Sequence, residues 1–225
     1  MGGGSTALRI RAIFNFHGCL PPPREQDTAM SNTSDSEDQT PIDTSDPAIV
    51  AHYEPYLRML AKVQMRRALQ AKIGASDIVQ QTMLQAVQAI DQFRGTGEAE
   101  FRGWLRQILA RHLCHLDRDF RRDKRDVRRE QSMQQQLAKS SMRLEGLLAG
   151  DGPTPSQNVA LGENVVRIAL AIEQLPESQR EAIRLHYIDG LKLSEVAAAM
   201  DKSSGAIAGL LHRGMKALRE QLGEA

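Results

Sequence analysis

The sequence predicts an all-α protein with two small helical domains joined by a flexible linker, the C-terminal one a helix-turn-helix. Three observations support this prediction. Apolar residues recur at three- and four-residue steps over two long stretches, which is the period of an amphipathic helix. Aromatic residues make up only 4% of the 225 residues, whereas Ala, Leu, Gln and Arg are common. Between the two periodic stretches lies a polar segment with glycine and proline, which is typical of a linker.

Changes in composition divide the chain into four segments. Residues 1–46 contain a glycine triplet, a proline triplet and a Ser/Thr/Asp-rich run. They carry too little apolar surface to fold and are predicted to be a disordered leader. Helical periodicity then defines a first domain at residues 47–130, a linker at residues 131–158 and a second domain at residues 159–225. Met30 lies within the leader and is an alternative start of the chain.

The charge balance and the cysteine content limit the functional classes. The net charge is +1, so any surface for nucleic acid must be local. Cys19 and Cys114 lie far apart in the sequence and give no disulfide framework, which suits a reducing compartment. No apolar run approaches the roughly 20 residues that span a bilayer. We therefore expect a cytoplasmic protein that does not bind membranes.

The C-terminal end has the pattern of a helix-turn-helix. Ser194 is predicted to cap a short helix, and residues 201–203 form a tight turn. Ser203 is predicted to cap the second helix. A short amphipathic helix, a tight turn and a helix with one polar side is the arrangement that places a helix in the DNA major groove. The inner face of the second helix is apolar: Ile207, Leu211 and Leu218.

One helix of the first domain has two distinct sides. Ser76 is predicted to cap it. Leu84 lies on the polar side, where the pattern indicates either a solvated face with one stray leucine or a docking face for the helices of another protein. The predicted buried side consists of Val79, Met83, Ala86, Val87 and Ile90. The predicted outer side consists of Asp77, Gln80, Gln81, Leu84 and Gln88.

The next helix changes character along its length. Its first half has apolar residues at helical spacing, and Trp104 among them is predicted to lie in the core rather than to stack on a base. Its second half carries basic residues on one edge and acidic residues on the neighbouring edge. This sorting indicates either a solvated, ion-paired face or a surface that follows phosphates. The basic edge consists of Arg111, His115, Arg118, Arg122, Arg125 and Arg129.

Neither a metal site nor a catalytic site is predicted. His112, Cys114 and His115 point in different directions on a helix, and no other His or Cys pair completes a metal site. The sequence has no nucleotide-binding glycine loop and no convincing pair of nucleophile and base. We therefore expect no catalytic residues, no metal, no cofactor and no enzymatic activity.

Five segments together resemble the extracytoplasmic-function (ECF) sigma factors, the small two-domain specificity subunits of bacterial RNA polymerase. In the first domain the resemblance lies in residues 76–84 (SDIVQQTML), 91–95 (DQFRG) and 101–111 (FRGWLRQILAR). In the second domain it lies in residues 175–181 (LPESQRE) and 193–197 (LSEVA). No single motif is decisive, but their order and spacing across both domains indicate this family.

The resemblance implies a non-enzymatic factor that binds core RNA polymerase and promoter DNA and directs promoter-specific initiation. It also implies roles for the two surfaces noted in the first domain. It leaves open an anti-sigma factor as a further partner. Residues 76–84 resemble the segment that docks on polymerase, which gives Asp77, Gln80, Gln81 and Leu84 as polymerase contacts. The basic edge becomes a DNA contact near the −10 element, through Arg111, His115, Arg118, Arg122 and Arg125.

The second helix of the helix-turn-helix departs from the family pattern. The family usually carries Lys and Arg where this chain has Ala208 and Leu210. The helix has thereby lost side chains able to make bidentate contacts with guanine. We expect weak reading of the −35 element, reading of DNA shape, or placement of the domain by polymerase. The candidate contacts are Lys202, Ser204, Gly205, Ala208, His212, Arg213 and Lys216.

The alternative function is a helix-turn-helix regulator that does not bind core polymerase. The outer glutamine face with Leu84 argues against that function, because a simple DNA-binding regulator has no need of such a docking face. A pull-down with core polymerase separates the two.

Overall fold

The computed structural model describes residues 42–65, 74–121, 127–147 and 161–223. The regular elements in these ranges are helices, which confirms the all-α prediction. The predicted disordered leader lies outside the described residues, except for its last five positions. None of the described helices is both long and apolar enough to cross a bilayer.

The first half of the described chain contains four α-helices. They are α1 (Ile49–His52), α2 (Glu54–Gln64), α3 (Ala75–Gln88) and α4 (Glu98–Arg121), with a 3₁₀ turn at Ile90–Gln92. Helix α3 packs against both α2 and α4. Tyr56, Leu60 and Leu105 are fully buried in the core that these helices share. Trp104 is 9% exposed and its ring contacts those of Phe93 and Phe101, so its predicted place in the core is confirmed.

The N-terminus of α3 is capped differently from the prediction. Its N-cap is Gly74, and the carboxylate of Asp77 accepts a hydrogen bond from the Gly74 backbone N–H at 3.2 Å. The predicted Ser76 cap is therefore wrong, because the helix begins at Ala75 and already includes Ser76. An acidic residue in the first turn also interacts favourably with the helix dipole.

A fifth helix, α5 (Val127–Glu145), occupies much of the segment predicted to be a linker. The linker prediction is wrong for residues 131–145. Leu137 and Leu144 are fully buried, and the Ser140 and Ser141 side chains between them are buried as well. Few residues of this helix are buried, and polar residues flank them. The sequence therefore lacks the wide apolar face that would indicate a helix here. The rest of the predicted linker, residues 148–158, lies outside the described residues.

The second half contains four α-helices and one π-helical turn. They are α6 (Leu161–Gln174), α7 (Glu177–Ile183), the π turn (Arg184–Ile188), α8 (Leu193–Met200) and α9 (Ser204–Leu222). Helix α9 packs on α6, α7 and α8. The two halves contact each other, because α2 packs against α6, and α5 packs against α6 and the π turn.

The helix-turn-helix is formed by α8 and α9. The Ser203 cap is confirmed, since its Oγ accepts a hydrogen bond from the Ala206 N–H at 3.2 Å. The Ser194 cap is wrong: Glu195 Oε2 accepts the Lys192 N–H at 2.7 Å, and the helix already begins at Leu193. Asp201 makes the turn with a left-handed backbone, at φ 52°.

Helix α9 crosses α7 at a glycine. A Cβ atom at Gly214 would lie 2.7 Å from Ile183 Cδ1, which is closer than two carbon atoms can pack. A side chain at position 214 would therefore force the buried Ile183 side chain, or α9 itself, to shift. Gly205, near the start of the same helix, has no such neighbour within 4 Å.

We expect Gly214→Ala to destabilise the full chain by about 1–3 kcal/mol, because the added methyl overlaps the buried Ile183 side chain and the packing between α7 and α9 must shift to admit it. Urea unfolding followed by circular dichroism measures this loss. Gly205→Ala is the matched control and should leave stability unchanged or raise it, because Ala favours the helix and the site is open. Equal effects of the two substitutions would contradict the close crossing.

Candidate nucleic-acid and protein interfaces

The outer side of α3 presents two neighbouring apolar residues to solvent. Leu84 is 53% exposed and Val87 is 39% exposed, one helical turn apart. The sequence predicts Val87 on the buried side, and that prediction is wrong. Val79 and Ala86 are buried as predicted. Ile78 and Thr82 are also buried on this side, although the sequence did not predict it. The Thr82 hydroxyl donates a hydrogen bond to the Ile78 carbonyl at 2.8 Å, so its polar group is satisfied inside the core.

The polar residues around this apolar pair lie as the sequence predicted. Asp77, Gln80 and Gln88 are exposed, and Gln81 is partly buried. The side of α3 that faces away from the core therefore combines an apolar centre with amide and carboxylate groups at its edge. This is the composition of a small protein-docking surface, whose core is apolar and whose rim is polar.

The basic edge of α4 is partly covered by α5. Arg111 Nε lies 3.1 Å from Glu130 Oε1, and both side chains are 27% exposed. His115 and Arg118 are partly buried and hydrogen-bonded to each other. The first part of the basic edge therefore contains an ion pair between α4 and α5, Arg111 with Glu130, and a hydrogen bond between His115 and Arg118. Arg122 and Arg125 lie outside the described residues.

Two other groups near this edge are held in their neutral forms. Burial, and then the positive charges of His115 and Arg111, lower the pKa of His112 to about 4, so its imidazole is neutral at pH 7. Burial, and then the negative charges of Glu130 and Asp117, raise the pKa of Cys114 to about 11. The Cys114 thiol is therefore a poor nucleophile. Within the described ranges, no group of three or more His, Cys, Asp and Glu side chains is arranged to hold a metal ion.

The outer face of the helix-turn-helix presents all seven predicted DNA contacts to solvent. Those residues are exposed: Lys202, Ser204, Gly205, Ala208, His212, Arg213 and Lys216. Leu210 differs, because it is only 9% exposed and belongs to the packed face with Ile207 and Leu211. The expectation that Leu210 faces DNA is therefore wrong, because its side chain is packed, whereas Ala208 is exposed.

A polar cluster that the sequence did not predict joins α5 to α2 and α4. Tyr56 Oη and Ser141 Oγ are 2.8 Å apart, and Arg106 Nη1 donates to both, at 2.8 Å and 3.1 Å. The only signal in the sequence is the spacing of Leu137 and Leu144, seven residues apart, which places them on one helix face.

Comparison with protein families gives two matches, one in each half. The model of sigma-70 region 2 matches residues 52–125, and the model of sigma-70 region 4 matches residues 166–218. Helix α3 and most of α4 fall in the first match, and the helix-turn-helix falls in the second. The residues from 126 to 165, which include α5, lie between the two.

Two relatives are similar over most of their own length. The RNA polymerase sigma factor CnrH of Cupriavidus metallidurans is 31% identical over 61% of this chain and 67% of that protein. The ECF RNA polymerase sigma factor SigW of Bacillus subtilis is 31% identical over 66% of this chain and 75% of that protein. The solved structure of CnrH in complex with the cytosolic domain of CnrY matches 78% of this chain and 86% of that one, at 23% identity and a TM-score of 0.28.

Proposed function

This chain belongs to the extracytoplasmic-function sigma factors of the sigma-70 family, which direct transcription initiation with RNA polymerase, and we propose which of its surfaces carry out each task. The outer side of α3 docks on core polymerase. The exposed face of α9 contacts the −35 element, and the C-terminal part of α4 contacts DNA near the −10 element. Residues 47–130 and 159–225 form the two functional domains, and the protein works in the cytoplasm, where polymerase and DNA are found, without enzymatic activity of its own.

The exposed apolar pair on α3 is the observation that most strongly supports this division. The opposite side of α3 is packed in the core, so Leu84 and Val87 are exposed although the helix itself is well ordered by packing. Because these side chains are 53% and 39% exposed, burying the rest of each against another helix gives roughly 1 kcal/mol per side chain. Two apolar side chains that remain exposed on a stably packed helix are therefore better explained by contact with a protein partner than by contact with water alone.

The exposed face of α9 supports a modest contact with the −35 element. His212, Arg213 and Lys216 provide polar or basic groups, and Lys216 also lies 3.8 Å from Glu220. Such groups bind phosphate but carry little sequence information. We infer that this domain depends on core polymerase for its placement, because few side chains on the helix can read base edges.

Run-off transcription tests the function as a whole. The full chain and core polymerase together should give discrete transcripts from a genomic promoter library, whereas either component alone should give none. Absence of transcripts with every promoter, despite binding of the chain to core polymerase, would contradict the proposed role in initiation.

We expect Leu84→Lys to weaken the binding of the full chain to core polymerase about tenfold or more, because it removes an apolar contact and places a charge in the interface. Fluorescence anisotropy with labelled chain measures the affinity. Leu170→Lys is the matched control, since Leu170 is also an exposed leucine on a helix, at 43% exposure, but lies in the other domain. Its affinity should stay within about twofold of the wild type. Equal weakening by both substitutions would remove α3 from the docking surface.

We expect Ala208→Lys to strengthen holoenzyme binding to promoter DNA and to steepen its salt dependence by about 0.9 in the log–log slope, because one more phosphate is neutralised. A filter-binding series in KCl measures the slope. Gln221→Lys adds the same charge to an exposed position near the far end of α9 and should leave the slope unchanged. If Ala208→Lys leaves the slope unchanged, this face of α9 does not lie on DNA.

A further inference from the structure

Helix α5 lies between the two regions that match the family models, and it is held firmly against the first domain. Leu137 and Leu144 on this helix are fully buried. The Ser141 hydroxyl, also buried, lies 2.8 Å from Tyr56 Oη and 3.1 Å from Arg106 Nη1. Hydrogen bonds in such a site are costly to break, because each buried partner would be left unpaired. Helix α5 is therefore a fixed part of the first domain.

Both carboxylates of α5 are used in this attachment. The acidic residues of the helix are Glu130 and Glu145. Glu130 Oε1 lies 3.1 Å from Arg111 Nε on α4. Glu145 Oε1 lies 3.7 Å from the buried Arg102 guanidinium and accepts a hydrogen bond from Ser141 Oγ at 2.8 Å. The negative charge of α5 is therefore directed at the first domain rather than at solvent.

The positive charge of α5 lies on its outer side. Its basic residues are all exposed: Arg128, Arg129, Lys139 and Arg143. Arg128 and Lys139 are about 16 Å apart along the helix axis and about 20° apart around it, so they lie on one face. Exposed polar residues lie between them on that face. The outer stripe of α5 consists of Arg128, Ser132, Gln135 and Lys139.

Ion pairs along the helix do not account for this outer stripe. Surface charges on a helix are usually paired with opposite charges three or four residues away. None of the residues at those distances from Lys139 is acidic: Gln135, Gln136, Met142 and Arg143. The same is true of Arg128. Lys139 makes no hydrogen bond or ion pair with the described residues, so its charge is open to an outside partner.

The outer stripe begins close to the end of α4 that carries the proposed −10 contact. Helix α5 runs antiparallel to α4, since the contact of Glu145 with Arg102 and that of Glu130 with Arg111 occur in reverse chain order. The N-terminal end of α5, with Arg128, is therefore near the C-terminal end of α4. Residues 118–129 contain seven Lys and Arg residues but only three Asp residues. Positive charge is thus concentrated here, although the net charge of the whole chain is only +1.

The side chains of the outer stripe suit a phosphate backbone. Arg, Lys, Ser and Gln are among the residues that bind phosphate oxygens in DNA complexes. A stripe of about 16 Å matches about five base pairs of duplex, at roughly 3.4 Å for each pair. In the chain, α5 lies between the helix with the proposed −10 contact and the helix with the proposed −35 contact. The duplex between these two elements is therefore the DNA closest to the stripe.

We propose that the outer stripe of α5 binds the phosphate backbone of the duplex between the −10 and −35 elements. Arg128 and Lys139 neutralise phosphates, and the side chains between them donate hydrogen bonds to phosphate oxygens. The contact adds affinity without reading sequence. It compensates for the recognition helix, where Ala208 provides no charge. The proposal rests on the promoter-binding function proposed above and adds a third DNA-binding surface to it.

Removal and addition of one charge test the outer stripe in opposite directions. Lys139→Gln should lower the log–log salt slope of holoenzyme binding to promoter DNA by about 0.9, because one phosphate is no longer neutralised. Gln135→Lys, on the same stripe, should raise the slope by about 0.9. From about 50 to about 200 mM KCl, each change alters the ratio of variant to wild-type affinity about threefold. Filter binding with the full chain and core polymerase measures the slopes.

Gln174→Lys is the matched control for the added charge. Gln174 is also an exposed glutamine on a helix, but it lies at the end of α6, so the slope should stay unchanged. Binding of all three variants to core polymerase alone should stay within about twofold of the wild type. If Lys139→Gln instead weakens binding to core polymerase, the stripe contacts protein and the proposal is wrong.

A neutral DNA backbone locates the contact. Methylphosphonate linkages between the −10 and −35 elements remove the phosphate charges that the outer stripe would bind. On this DNA the wild type and Lys139→Gln should have equal slopes, whereas on unmodified DNA their slopes should differ. The difference on unmodified DNA should be the same for any base sequence between the elements, because phosphate contacts do not read bases.

Two further results would overturn the proposal. One is an equal slope for the wild type and Lys139→Gln on unmodified promoter DNA. The other is a difference in slope that persists when the backbone between the elements is neutral, since the contact then lies elsewhere. A holoenzyme that binds no promoter at all would contradict the proposed function itself, whereas normal promoter binding with an unchanged slope would contradict only the role of the stripe.

Discussion

The buried charge of Arg102 is the constraint on which the rest of this structure depends. Breaking a buried ion pair by removing one partner costs about 3–5 kcal/mol, so the chain must supply carboxylates to this guanidinium. Glu98 comes from the same helix, but Glu145 comes from α5. This contact and the buried Leu137 and Leu144 hold α5 against the first domain. That position places Glu130 beside Arg111, and Arg143 beside the second domain.

This arrangement separates the surfaces that stay available from those that are covered. The outer side of α3 and the outer face of α9 remain exposed, and they carry the proposed contacts with polymerase and with the −35 element. The first part of the basic edge of α4 is paired with α5 through Arg111.

Much of the fold was predictable because it depends on local pattern. The helix-turn-helix, the Ser203 cap and the core position of Trp104 follow from helical period, turn chemistry and apolar spacing. The caps of α3 and α8 were misassigned because Asp77 and Glu195 act from the third helical position, one residue after a serine that resembles a cap.

The features that the sequence did not predict depend on contacts between distant residues. Helix α5 has only a narrow buried stripe among polar residues, and what holds it in place is Tyr56 and Arg102, far away in the chain. Val87 and Leu210 sit at the borders of helix faces, where a small rotation decides between core and solvent. The period of apolar residues alone therefore does not predict whether such residues are buried or exposed.

The account depends most on the outer side of α3, where Leu84 and Val87 are exposed although the opposite side of the helix is packed in the core. Photo-cross-linking of the full chain to core polymerase, from a photoreactive amino acid placed at position 84, tests this most directly. The account predicts cross-links from this position to polymerase. A chain that binds polymerase but forms no cross-link from position 84 would contradict it.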